Sequence, residues 1–136
     1  MNAETSDFLR VYEDVLPQRV RDRYRSPATL LDAWSQFVEL CVSGYPYGFD
    51  EFINDLAVRD FIESISADAR VLENSARAEF YATVQKVDET FRSLLQQGVD
   101  IGSADRPWWR RGVLKRAGDE YVQDMEDQFG VQVESI

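Results

Sequence analysis

The stretch from Ser26 to Gly44 constrains the fold more than any other, because it marks both ends of a helix and the face that the helix buries. Ser26 offers an oxygen to the orphan amides of an N-terminus, and Pro27 stands at the first helical position, where its missing N–H costs nothing. At 100° per residue, Leu30, Leu31, Trp34, Phe37, Val38, Cys41 and Val42 fall within an arc of roughly 140°, with Asp32, Ser35, Gln36 and Glu39 outside it. Gly44 suits a left-handed C-cap, and Pro46 stops the helix from resuming. A chain built on such a helix needs other amphipathic helices to cover its apolar face.

Those helices are legible on both sides. Phe8, Leu9, Val11, Tyr12, Val15 and Leu16 form an apolar stripe within residues 4–24, where Thr5 or Ser6 can cap the start and Pro17 ends the stripe or opens the next turn. After an aromatic turn, Tyr45 to Phe49, a helix over residues 50–65 buries Phe52, Ile53, Leu56, Phe61 and Ile62 and pairs Asp55 with Arg59 at i,i+4. The longest periodic segment, 68–97, keeps Leu72, Ala76, Phe80, Val84, Val87, Phe91, Leu94 and Leu95 on one side and sets Glu73 before Arg77 and Asp88 before Arg92, with Gly98 as its cap. A loop over 99–106 leads to Pro107, Trp108 and Trp109. A shorter helix over 118–128 turns Tyr121, Val122, Met125 and Phe129 inward, and Val131 to Val133 is extended or frayed. The expectation is an all-α, single-domain bundle of four main helices plus a shorter C-terminal one, with Trp34, Phe37, Leu56, Phe80, Val84 and Phe91 buried.

Composition narrows the chemistry. The 136 residues hold 25 acidic and 15 basic side chains, a net charge of −10, and no histidine. That charge opposes binding to nucleic-acid phosphate or anionic membrane, and the longest apolar run falls far short of the roughly 18 residues of a membrane span. Absence of histidine removes the commonest general base and the preferred zinc ligand. No Gly-rich phosphate loop, G-x-S-x-G or C-x-x-C is present, and the lone Cys41 lies on the apolar face of the core helix. Glu4 and Asp7 stand where a secretory leader needs basic and then apolar residues, so a cytoplasmic chain is expected. Thirteen of the 15 basic residues are arginine, which fits a GC-rich bacterial genome.

Two basic clusters run against the overall charge. Arg19, Arg21, Arg23 and Arg25 form one; Arg110, Arg111, Lys115 and Arg116, beside Trp108 and Trp109, form the other. Both could meet nucleic acid, yet in so acidic a chain the simpler expectation is pairing with its own carboxylates, with at least one tryptophan closing an end of the bundle. Carboxylate pairs at i,i+3, Asp60 with Glu63 and Asp124 with Asp127, leave a carboxylate–metal enzyme as a remote alternative.

The expected function is therefore that of a non-catalytic, cofactor-free acidic protein that presents a carboxylate-rich helical surface to a basic protein partner. In size, charge and helix content the chain is similar to small acidic helical immunity proteins, which implies a toxin as the partner; no motif carries that likeness. A structural or adaptor protein, self-associating or not, is the alternative. The expected docking site is Tyr45, Tyr47, Asp50, Glu51, Asp55, Asp60 and Glu63, and the competing site is Asp119, Glu120 and Asp124.

Overall fold

A computed structural model describes residues 2–136. Among them are six α-helices: α1 (Ala3–Val15), α2 (Pro27–Gly44), α3 (Phe49–Asp55), α4 (Ala57–Ser66), α5 (Ser75–Ser93) and α6 (Asp119–Phe129). Short 3-10 turns cover Gln18–Val20, Ala69–Val71 and Trp108–Arg110. The one sheet among the described residues pairs β1 (Arg116–Ala117) with β2 (Glu134–Ser135) in parallel, so the fold is all-α. The chain forms two compact units, one of residues up to Ser35 with Val58–Val87, the other of Gln36–Ala57 with Asp88–Ile136.

Within the first unit α1 begins at Asn2, whose side chain accepts the Thr5 amide at 2.7 Å, rather than at Thr5 or Ser6. It ends at Val15; Pro17 then opens a 3-10 turn, so residues 4–24 are not one helix. Phe8 packs on Phe80 with ring centroids 5.5 Å apart. The Tyr12 hydroxyl is shared between the carbonyls of Tyr24 at 2.7 Å and Ser26 at 2.9 Å, tying α1 to the start of α2. There Ser26 Oγ accepts the Thr29 amide at 3.2 Å, the cap that Ser26-Pro27 announces.

The helix expected over 68–97 starts seven residues later. Asp68 folds back to accept the Arg70 amide in a turn, and α5 is capped at Asn74, whose side chain accepts the Arg77 amide at 3.0 Å and donates to the Glu4 carbonyl at 2.7 Å. Leu72, placed on the inner stripe by its spacing, is consequently 51% exposed. Arg77 donates to the Ser66 carbonyl rather than reaching back to Glu73. Arg59 is 1% exposed: it donates to Glu63 at 2.9 Å and to the Tyr81 hydroxyl at 3.3 Å, and Tyr81 donates to the same Glu63 oxygen at 2.9 Å.

The second unit has an aromatic interior. Phe52 meets the rings of Phe37, Tyr45, Phe49, Phe91 and Tyr121 at centroid distances of 5.1–6.4 Å. Tyr121 also accepts the Leu114 amide at 3.1 Å, and Trp109 is buried. The helix expected over 50–65 is divided at Leu56, the C-cap of α3, whose amide still donates to the Phe52 carbonyl at 3.1 Å and whose side chain is buried. All six expected core residues, Trp34, Phe37, Leu56, Phe80, Val84 and Phe91, are buried. Val42 and Phe129, both expected inside, are 55% and 39% exposed.

Candidate functional site

The expected docking site begins at the turn after α2. Tyr45 cannot anchor a partner, because it is wholly buried; its ring is packed by Phe37, Phe52 and Tyr121, and its hydroxyl donates to Asp55 Oδ2 at 2.7 Å. Burial, reinforced by the hydrogen bond and charge of Asp55, pushes the Tyr45 phenol far above its ordinary range. Asp55 is thereby held to a core hydroxyl and not to Arg59. Tyr47 has the opposite fate: it is 51% exposed, its ring set edge-on to Tyr45 at 5.7 Å. The periodicity of α3 cannot distinguish these two rings because both precede the helix.

Gly48 then caps α3 without a side chain, and the missing acceptor comes from far along the chain: Asp124 of α6 takes the Phe49 amide at 2.8 Å. A Cβ on Gly48 would lie 2.7 Å from Asp124 Oδ2 and 3.1 Å from Glu120, so a side chain here would have to displace the Asp124 carboxylate that serves the cap. Gly118 makes the reciprocal approach, donating its amide to the Tyr45 carbonyl at 2.8 Å. The N-termini of α3 and α6 thus abut, bringing Asp50 and Glu51 in one first turn next to Asp119 and Glu120 in the other. Two positive helix ends side by side repel, and carboxylates in their first turns offset both dipoles.

Tyr47, Asp50, Glu51, Asp119 and Glu120 are all exposed, and they belong to two helix starts that meet at Gly48 and Gly118. Asp119 accepts the Ser135 hydroxyl at 2.5 Å, while Asp124 is a helix cap and not a free docking charge. Asp60 and Glu63 belong to the other unit; Asp60 is half-buried, and Glu63 is occupied by Arg59 and Tyr81. The signal for the cap across the chain was a helix opening on Gly48 with no Ser, Thr, Asp or Asn to serve it.

The basic clusters are engaged inside the chain. Arg111 pairs with Asp100, whose carboxyl it holds below the usual range, and Arg116 lies 3.8 Å from Glu134. Arg110 donates to the Ile53 carbonyl at 3.4 Å, and the Arg92 guanidinium covers the Trp108 ring at 3.9 Å. Near the N-terminus Arg21 donates to the Glu13 carbonyl, Arg25 to that of Asp22, and Arg19 stands over Phe61. Cys41 is buried, and burial drives its thiol far up, away from the reactive thiolate. The i,i+3 carboxylates have other duties, Asp127 accepting from Gln123 at 2.9 Å. Among the described residues no group of three or more Cys, Asp or Glu is placed to hold a metal ion. No helix there is long and apolar enough to cross a membrane. Comparison with known protein families, curated proteins and solved structures finds no match to this chain.

Proposed function

We propose that the protein is a binding module whose acidic face, at the joined N-termini of α3 and α6, receives a basic protein, most concretely as an immunity protein or inhibitor of a cationic bacterial toxin acting in the cytoplasm. The observation that carries this reading is the contact of Gly48 and Phe49 with Glu120 and Asp124, which joins two helix starts whose first turns hold four carboxylates, with exposed Tyr47 immediately before one of them. Carboxylates so clustered steer a cationic partner and imitate phosphate to a nuclease, and Tyr47 supplies rigid contact area at low entropic cost. Asp60 and Glu63 drop out of the interface.

The test is a pull-down from the native cell followed by kinetics. A basic protein should be recovered in stoichiometric amount, and its association rate should fall steeply with added salt, because charges within about 10 Å act through screened attraction at 0.1 M. Association insensitive to salt would favour the adaptor reading. Nucleic acid is not the partner in this account: RNA or DNA binding at about 150 mM salt that is lost in Arg110→Ala with Arg111→Ala would refute that part of it.

A further inference from the structure

The first arginine cluster departs from the expected pairing with the chain's own carboxylates. Arg19, Arg21, Arg23 and Arg25 are all exposed, and among the described residues none of the four forms an ion pair. Arg21 and Arg25 donate to the backbone carbonyls of Glu13 and Asp22, and Arg19 and Arg23 stand over the rings of Phe61 and Tyr24. A carbonyl or a ring orients a guanidinium without cancelling its charge. Residues 19–25 therefore keep four arginines against the single Asp22. Asp14, near the end of α1, is already held by Arg70 at 2.8 Å. Arg21 and Arg25 also line a cleft of about 260 Å³, together with Tyr12, Glu13, Leu16 and Tyr24.

The complement of this segment is carried by the same chain. Asp50, Glu51, Asp119 and Glu120 are exposed and, among the described residues, paired with no cation; Tyr47, just before α3, is 51% exposed. We propose that residues 19–25 of one copy dock on the acidic face of a second copy, guanidinium to carboxylate, with Tyr47 entering the cleft lined by Arg21 and Arg25. The planar fork of a guanidinium matches a carboxylate, and a phenol ring beside it adds a cation–π contact. The charge of −10 on each copy opposes approach at long range. At about 0.15 M salt, with a screening length of about 8 Å, that repulsion is suppressed while groups in contact keep their attraction. The contact joins two different surfaces, so it closes into a ring or extends into a chain. The inference rests on the acidic face proposed above and gives it a second occupant. Its test uses the purified chain alone, so a failure here leaves the basic partner in place, and recovery of no basic partner leaves the self-docking in place.

Sedimentation of the full chain is the first measurement. At about 0.15 M salt the weight-average mass should rise above that of one chain as the protein approaches about 1 mM, and should return to it at about 1 M salt, where the screening length is about 3 Å. Two variants should each stay monomeric: Arg21→Gln with Arg23→Gln and Arg25→Gln, and Asp50→Asn with Glu51→Gln and Glu120→Gln. The second of them carries less negative charge than the wild type, so its loss of association does not come from repulsion between whole molecules. Mixed in equal amounts, each variant supplies the surface that the other lacks, and the mixture should form a 1:1 dimer and nothing larger. Amide NMR during dilution of the wild-type protein needs no variant: shifts should fall in residues 19–25 and in 47–51 with 119–120 together. A wild-type chain that is monomeric at about 1 mM, variants that associate as the wild type does, or dilution shifts missing from either surface would each overturn the proposal. Octaglutamate bound at residues 19–25 of a chain that stays monomeric would assign these arginines to a different acidic protein and overturn the self-docking too.

Discussion

The two units solve the same problem of burial with different materials. In the first, Phe8 meets Phe80 and Tyr24 meets Phe61, and the interior admits a charge, Arg59, which has Glu63 and Tyr81 among its partners. In the second, rings form a continuous network centred on Phe52, phenols and helix-end amides are met one to one, and the carboxylate of Asp88 is buried as well. A network of rings tolerates little loss at its centre, whereas a buried ion pair is stable only as a complete set. The proposed acidic face sits on the unit with the ring network.

The largest expected effect attacks the ring network. Phe52→Ala, which removes a ring in contact with five others, should cost about 4–5 kcal/mol, while Phe80→Ala, with one ring partner, should cost about 3 kcal/mol. Denaturant titration checks both, and a reversal of that order would remove the contrast between the units. Next comes the buried charge. Arg59→Met should cost about 2 kcal/mol, less than a fully enclosed pair because the Glu63 side chain is 38% exposed. Adding Glu63→Gln to that variant should recover part of the loss; additive costs would show that the two side chains do not act together.

A smaller effect separates structure from docking on the acidic face itself. Asp124→Ala should destabilise by about 1 kcal/mol through loss of the α3 cap, whereas Asp127→Ala, whose carboxylate meets only the exposed Gln123, should be near neutral in thermal melts. The smallest effect at neutral pH is in the phenols. Tyr12 and Tyr81 in one unit and Tyr45 and Tyr121 in the other are pushed up by burial, so all four stay protonated when unfolded tyrosine ionises near pH ~10. Their folded values exceed the unfolded one. The resulting stability is fully present below pH ~10 and is lost as pH rises through the folded values. Tyrosinate absorbance during an alkaline titration should therefore appear with unfolding; ionisation of these four in the intact fold near pH ~10 would contradict the assigned burial.

Much of this architecture is legible in the residues themselves. Ser26, Pro27 and Gly44 mark α2 because caps are local chemistry, and Gly44 does adopt a positive φ of 107°. Periodicity found the six core residues because a helix face is also local. It failed where a partner far along the chain decides. Asn74 rather than Asp68 starts α5 because Glu4, 70 residues earlier, receives its side chain. Arg59 looks like a surface charge at i,i+4 from Asp55, and its burial depends on partners such as Glu63 and Tyr81, the latter 22 residues along the chain. Tyr45 and Tyr47 are chemically alike, and their opposite exposures follow from Asp55 and Tyr121 packing against one of them. The union of the two acidic sites depends on Gly48 admitting Asp124, a contact between residues 76 apart that no spacing rule reveals.

The most direct test of the central claim compares two charge reversals of equal size on the partner recovered from the cell. One variant carries Asp50→Lys with Glu51→Lys at the joined helix ends; the other carries Glu73→Lys with Glu79→Lys, exposed positions of the first unit. Both change net charge by the same amount, so their association rates measured at low and high salt isolate position from total charge. The acidic-face account predicts that the first variant associates about tenfold or more slowly than the second at low salt, with the gap closing as salt rises. Equal rates for the two variants would show that the carboxylates of α3 act only through the charge of the whole molecule, and the docking face would be wrong.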